Sequence, residues 1–360
     1  MVFFFHCRLS IFGHPSWLPD RVKFGWTGVD LFFVLSGFLI ASQLFAEIRV
    51  TGKIAYKDFF LKRSFRILPA FWFIILIYFT IPFFHEKESL APLWKYLTFT
   101  QNFGLDPKDY GTFSHGWSLC VEEHFYFLLP ITLLAICYFR KLRYAYWLLI
   151  VLFISGFFIR HYAYVHQYTP IIDAPDSVYL WFKYIYYPSY NRFDGLIAGV
   201  SIAALYQFTP RLWARISGYG NLTLVSGLLI LVLAYFVCDN GQSYTASVFG
   251  FPLVAMGYGF LVMAAISPTC ILYKWTSKTT TFIATLSYAI YLSHKGVIHI
   301  TQSLIAGQTI DLNSNLMLLI SMVSCVLAAW LLHIVIEKPF MNLRKKLTAR
   351  PQAVTTLIGT

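Results

Sequence analysis

Stretches of about 20 mostly apolar residues recur along the whole chain and constrain its fold more than any other feature. A helix of about this length is needed to cross the hydrocarbon core of a bilayer. Backbone groups in lipid must find hydrogen-bond partners inside the protein, so we expect an all-α, polytopic membrane protein. The sequence predicts nine full spans, at 25–45, 67–84, 121–138, 146–165, 193–208, 221–238, 248–266, 282–304 and 315–336.

Composition agrees with this prediction. Of the 360 residues, 58% are hydrophobic and 12% are charged, which is too apolar for a soluble domain of this length. The opening run MVFFFHC is too short to cross a bilayer and lacks the pattern of a signal peptide. We interpret it as the remnant of a truncated first span, so the predicted bundle has about ten helices. We expect one membrane domain at 1–345 and a short cytoplasmic tail at 346–360.

The distribution of basic residues predicts the orientation in the membrane. The net charge is +12, and 18 of the 28 Lys and Arg residues fall on connections of one side, including the 46–66 loop and the C-terminus. Basic connections stay in the cytoplasm, so this loop and the C-terminus are predicted to face inward. The charge therefore indicates a membrane-lipid partner and no nucleic acid.

Polar residues inside the predicted spans are the candidates for function. A charge at the centre of a spanning helix costs about 2.5–3.5 kcal/mol, so each needs a partner or a task. Ordinary structural roles remain open for all of them, such as a hydrogen bond to a neighbouring helix. The candidates are His6, Asp30, Glu122, Glu123, His124, Arg192, Asp194, His294 and Lys295.

Three groups of side chains favour specific chemistry. Imidazole is well matched to removing a hydroxyl proton, so His6 is a candidate general base, although an isolated histidine is more often a core residue. Arg63 and Arg66 share a helix face and can bind phosphate or carboxylate, or simply anchor the helix at the inner surface. Ser118 and Glu122, four residues apart, also share a face; a helix-start acid is the alternative for the glutamate.

Other site classes lack their residues. The chain has no GxxxxGK[ST], HExxH or GxSxG pattern, which argues against nucleotide hydrolysis, zincin and serine-hydrolase chemistry. Its six cysteines are scattered singly and are interpreted as small core residues. We predict no metal site and no permanently bound cofactor.

Six blocks of sequence occur in order along nearly the whole chain. The blocks are WTGVDLFFVLSGFLI (26–40), LKRSFRILPAFW (61–72), GWSLCVEEHFYFLLP (116–130), YNRFDGLIAGV (190–200), LSYAIYLSHKGV (286–297) and IEKPF (336–340). Together they are far more specific than any one of them, and they resemble the acyltransferase-3 family of bacterial integral-membrane O-acyltransferases.

The resemblance implies a ten-helix domain in the bacterial cytoplasmic (inner) membrane that moves an acyl group, commonly acetyl from acetyl-CoA, onto a hydroxyl. The family's RxxR motif falls on Arg63 and Arg66, its SxxxE motif on Ser118 and Glu122, and its first-helix histidine on His6. The family's basic residue eleven positions before that histidine would precede Met1, a departure that leaves one expected site residue unassigned.

On this basis we assign expected roles to the site residues. The predicted catalytic residues are His6, Ser118 and Glu122, and acyl-CoA, as a co-substrate, is expected at Arg63 and Arg66. The predicted substrate-binding residues are Asp30, Arg192, Asp194 and His294. The chain resembles the stand-alone type of the family, without an extracytoplasmic hydrolase-like domain.

The acceptor remains open at this stage. The first expectation is a glycan or lipid-linked sugar, in particular a surface polysaccharide or lipopolysaccharide O-antigen sugar, and the second is a macrolide or other small metabolite. A transporter or flippase for lipid-linked sugars is the main rival class, because polar residues also line translocation paths. A lipid-linked glycosyltransferase is a rival class of enzyme. It would need acidic residues grouped in an outer loop, where Asp106 and Asp109 are the only nearby pair.

Overall fold

The computed structural model describes residues 1–10, 12–139, 144–308 and 310–348. This part of the chain is helical and contains no β-strand, which confirms the predicted all-α class. Its helices are α1 (Val2–Cys7), α2 (Leu18–Val22), α3 (Gly28–Thr51), α4 (Tyr56–Thr80), α5 (Leu93–Leu97), α6 (Trp117–Tyr138), α7 (Ala145–Ala163), α8 (Ser177–Trp181), α9 (Asp194–Phe208), α10 (Pro210–Ser217), α11 (Gly220–Val237), α12 (Phe251–Ala265), α13 (Ile271–Lys274), α14 (Lys278–Ile305), α15 (Asn315–Leu332) and α16 (Lys338–Thr348).

Every predicted span coincides with one of the longer helices. Within the described residues, six helical segments are long and apolar enough to cross a membrane. The other three windows correspond to α4, which begins with a charged stretch, α9, which has 15 residues, and α14, which is rich in Thr, Ser and His. Their crossing of the membrane stays a prediction.

Some of the sequence-based assignments fall outside the described residues. They are the basic residues Arg140, Lys141, Arg143 and Arg350, and the predicted tail from 349 onward. The predicted boundary between residues 345 and 346 lies inside α16, and this division of the chain stays a prediction.

Glycines allow α3 and α9 to pack backbone against backbone. A Cβ added at Gly37 would clash with the Leu196 carbonyl, and one at Gly199 would clash with the Val34 carbonyl. Close packing of the LSGFL and DGLIAGV segments therefore depends on these glycines, because only residues without a side chain fit at these contacts.

Two buried ion pairs connect the ends of α3, α7 and α9. Asp30, in the first turn of α3, lies 2.7 Å from the Arg192 guanidinium, and Asp194, at the start of α9, lies 2.6 Å from that of Arg160 in α7. All four side chains are at most 5% exposed. Breaking one such pair leaves an uncompensated buried charge, so the pairs fix how these helix ends meet.

The short helix α1 is held against α14 and α15 by a small apolar cluster. Cys7, Leu18, Ile298 and Cys325 form it, and each is at most 3% exposed. Farther along the N-terminal segment, the Trp17 indole donates to Asn315 at 2.8 Å. These contacts place the residue before Cys7, which is His6, against the middle of α14.

Candidate active site

Two histidines from distant parts of the chain form the centre of the candidate site. His6 Nδ1 lies 2.6 Å from His294 Nε2, and the two rings stack with their centroids 4.8 Å apart. His294 is 1% exposed, whereas His6 lines a large cavity. His294 therefore lies behind His6 as seen from the cavity.

Hydrogen bonds to the backbone determine which ring nitrogens carry hydrogen. His294 Nδ1 is 2.8 Å from the Tyr291 carbonyl oxygen and 3.1 Å from that of Ile290. A carbonyl oxygen only accepts, so His294 Nδ1 carries the hydrogen, and Nε2 of the neutral ring is an acceptor. His6 Nδ1–H then donates to His294, which leaves the His6 Nε2 lone pair free to accept a proton.

A third histidine completes a cluster around this pair. The His115 ring centroid lies 6.0 Å from that of His6 and 5.0 Å from that of His294. His115 Nε2 donates to the Leu292 carbonyl at 3.3 Å. His115 lies three residues before the SxxxE serine, but no sequence pattern marks it as a site residue.

Ser118 reaches the histidine cluster through Tyr291. The Tyr291 hydroxyl donates to the His115 carbonyl at 2.7 Å, and the Ser118 Oγ lies 2.6 Å from the same hydroxyl. Because the tyrosine hydrogen is committed to the carbonyl, the serine is the donor in the second bond. Ser118 thus positions Tyr291. Tyr291 lies three residues before His294 on α14, and this i, i+3 spacing was the one feature of the sequence that could have marked the tyrosine as a site residue.

The predicted polar face of α6 continues along the helix from Ser118 toward its C-terminal end. Glu122 is 3% exposed and lies beside the side chains of Ser36 and Tyr126. The Arg63 guanidinium stands over the Tyr126 ring, 5.2 Å from its centroid, and interacts electrostatically with Glu122. The expectation that Ser118 and Glu122 share a face is met, and this face links Arg63 to the histidine cluster.

The two arginines of the RxxR motif differ in their surroundings. Arg63 is partly buried against α6, whereas Arg66 is exposed. Neither lines the cavity at His6. Their predicted role in binding acyl-CoA stays a prediction.

The cavity beside His6 has a volume of about 1170 Å³. Several segments that line it, around Lys23, Lys87, Pro107 and Asp239, lie on the side opposite the connections that are predicted to face inward. Aromatic side chains make up much of its wall. They are Phe5, Phe24, Trp26, Trp117, Tyr179, Trp181, Phe182, Tyr186, Tyr187, Tyr235, Phe251 and Tyr291. A cavity of this size, which combines aromatic walls with polar and charged side chains, is suited to a small molecule or to one part of a larger one.

The predicted substrate-binding residues Asp30, Arg192 and Asp194 lie behind this wall. The Arg192 guanidinium stands 4.1 Å from the centroid of the Phe251 ring and 4.5 Å from that of Tyr186, and it pairs with Asp30. These residues support the aromatic wall from inside the protein. Direct binding of substrate by them, and by His294, stays a prediction.

Within the described residues, no group of three or more His, Cys, Asp or Glu side chains is arranged to hold a metal ion. The six cysteines are free thiols, and all but Cys137 are buried.

Comparison with known proteins gives a consistent result. A family model described as an acyltransferase domain matches residues 1–334. The O-acetyltransferase OatA of Staphylococcus aureus strain NCTC 8325 is 25% identical over 308 residues, which is 79% of this chain and 47% of the relative. "Putative O-acetyltransferase SACOL0978" of Staphylococcus aureus strain COL is 24% identical over 316 residues, 81% of this chain and 48% of the relative. The chain thus spans about half the length of these relatives, and no solved structure gives a significant match.

Proposed function

The chain belongs to the acyltransferase-3 family, and on that premise we propose that it transfers an acyl group, most readily acetyl, from acyl-CoA to a hydroxyl group. The relatives named O-acetyltransferases support the reaction type. The single observation that carries the proposal is the hydrogen bond from His6 to His294, which leaves a basic nitrogen facing a large cavity.

The proposed reaction uses His6 as general base. His6 Nε2 takes the proton of the acceptor hydroxyl as its oxygen attacks the thioester carbonyl carbon. The carbon–sulfur bond then breaks, and the proton passes to the leaving thiolate to give free CoA. His294 holds the His6 ring and its tautomer during these steps, as the orienting group does in other histidine-based catalysts.

The proposed acceptor is a sugar hydroxyl of a surface polysaccharide or a lipopolysaccharide O-antigen. The aromatic wall supports this class, because ring faces can pack against the apolar faces of a sugar while its hydroxyl groups reach the polar residues near His6. The outward connections around the cavity suit an acceptor that arrives from outside the cytoplasmic membrane.

The proposed donor is acetyl-CoA from the cytoplasm. Its phosphates carry several negative charges, and Arg63 with Arg66 can supply guanidinium groups at the inner end of α4. The polar residues of α6 extend from Arg63 toward the histidine cluster, so the thioester of acetyl-CoA would approach His6 along this face.

A comparison of surface glycans tests the function. We expect mass spectra of glycans from cells that produce the chain to contain a base-labile increment of one acetyl group that cells without the gene lack. Identical spectra from the two strains, with the protein present in the membrane, would refute the proposed acceptor class.

The donor site has its own test. We expect the double variant Arg63→Ala with Arg66→Ala to raise the KM for acetyl-CoA at least tenfold, because two charge-assisted contacts to phosphate are lost. Lys274→Ala removes an exposed charge from a different inward connection and serves as the matched control. An unchanged KM for acetyl-CoA in the double variant would contradict the proposed donor site and indicate that both arginines only anchor the helix at the membrane surface.

A further inference from the structure

Lys295 places a positive charge in the cavity beside the histidine cluster. It follows His294 on α14, and its side chain is 16% exposed. Its ammonium group lies 3.0 Å from Glu86 Oε1 and 3.3 Å from Ser114 Oγ. The side chain is therefore held in one position and still reaches the cavity.

Among the described residues, the ammonium group of Lys295 has two hydrogen-bond partners, which leaves one of its donors unused. An ammonium group has three N–H donors, and Glu86 and Ser114 account for two of them. Glu86 is itself held in place, because its Oε1 also accepts from the Phe113 backbone N–H at 2.9 Å. The third N–H of Lys295 is available to a molecule in the cavity.

Lys295 is next to His294 in the chain and lines the same cavity as His6 and His115. It interacts electrostatically with both His6 and His115. Lys23, another cation of the cavity wall, is instead paired with Asp239 at 2.5 Å, and both of those side chains are 40% exposed or more. Lys295 thus combines three properties: it is partly buried, it is fixed in place, and it lies close to the proposed base.

We propose that Lys295 is a catalytic residue that stabilises the negative charge formed on the thioester carbonyl oxygen. This inference rests on the proposed acyl transfer. When the acceptor oxygen bonds to the carbonyl carbon, the π electron pair moves to the carbonyl oxygen, and the third N–H of Lys295 donates to that oxygen. When the carbonyl re-forms, the carbon–sulfur bond breaks, and the proton held by His6 goes to the thiolate.

The test measures transfer of radiolabelled acetyl from acetyl-CoA into alkali-labile product. It uses detergent-permeabilised membranes of the native host, so that endogenous acceptors are present. Lys295→Met is expected to lower kcat by about 100- to 1,000-fold, the usual effect of removing one oxyanion donor, with little change in the KM for acetyl-CoA. Lys295→Arg keeps the charge and is expected to retain more activity than Lys295→Met.

Two further variants separate catalysis from structure. Glu86→Gln removes the charge of the partner but keeps an oxygen that can accept from the ammonium group, so its kcat should fall far less than that of Lys295→Met. A purely structural ion pair would instead make Glu86→Gln and Lys295→Met lose activity and thermal stability together. Lys278→Met, an exposed position on the same helix, is the matched control and should match wild type.

The outcomes distinguish the two proposals. Wild-type membranes that transfer no label above background would refute the proposed function itself. Transfer by wild type together with an unchanged kcat in Lys295→Met would overturn the role of Lys295 alone. A change confined to the KM for acetyl-CoA would also overturn it, because donor binding would then be what the lysine provides.

Discussion

At the scale of single residues, the site depends on one shared hydrogen bond between two imidazole rings. His294 contributes no exposed surface, yet its bond to the Tyr291 carbonyl dictates the tautomer of His6. A general base must present its lone pair to the substrate, so the orienting residue matters as much as the base. His6 and His294 are 288 positions apart, and no pattern in the sequence predicts this contact.

Substitution of His294 tests this orientation. We expect His294→Leu to lower kcat by about 100- to 10,000-fold, because His6 loses the acceptor for its Nδ1–H. His294→Gln should retain more activity, since its amide oxygen can still accept that hydrogen. The same radiolabelled acetyl transfer assay measures both variants.

His161→Leu is the matched control for this pair, because His161 is an exposed histidine of α7. It should behave as wild type. Equal activity of His294→Leu and His294→Gln would show that hydrogen bonding by residue 294 is irrelevant to the reaction.

At the scale of helices, α3 and α9 pack closely, backbone against backbone. Gly37 and Gly199 allow this contact, because each lies where a Cβ would clash with a backbone carbonyl of the other helix. The ion pairs at the ends of the same helices were only partly predictable. Asp30, Arg192 and Asp194 were candidate site residues from the sequence, whereas Arg160, the partner of Asp194, was not a candidate although it is fully buried in α7.

A substitution at the helix contact tests its contribution. We expect Gly199→Leu to prevent close approach of α3 and α9 and to lower the thermal unfolding temperature of the detergent-solubilised protein, or its yield, because the added Cβ would meet the Val34 carbonyl. Gly259→Ala, where a new Cβ meets only side chains at 3.7 Å or more, is the control and should be tolerated. Equal stability of the two variants would contradict this account of the packing.

At the scale of the whole molecule, the length of the apolar stretches predicted the positions of the helices well. A stretch of about 20 apolar residues has few stable conformations other than a buried or membrane-spanning helix. All nine windows fall on helices. The functional groupings were harder to predict, since they join α1, α6 and α14 through contacts between distant residues. Local spacing identified Ser118 with Glu122 but not the tyrosine that the serine binds.

The predicted orientation can be measured with single cysteines and a membrane-impermeant thiol reagent. Lys53→Cys, in the connection between α3 and α4, should be labelled only after the cells are permeabilised, because basic connections stay inside. Lys108→Cys, on the opposite side and 55% exposed, should be labelled in intact cells. Labelling of Lys53→Cys in intact cells would reverse the proposed direction of donor and acceptor entry.

The most direct test of the account concerns His6 itself. Surface glycans of cells producing His6→Ala, at the same membrane level as wild type, are to be compared by mass spectrometry for the base-labile acetyl increment. We predict that the increment disappears, because His6 is the proposed base, lines the cavity and keeps its Nε2 lone pair for the hydroxyl proton through its hydrogen bond to His294. Full retention of the increment would remove His6 from the mechanism.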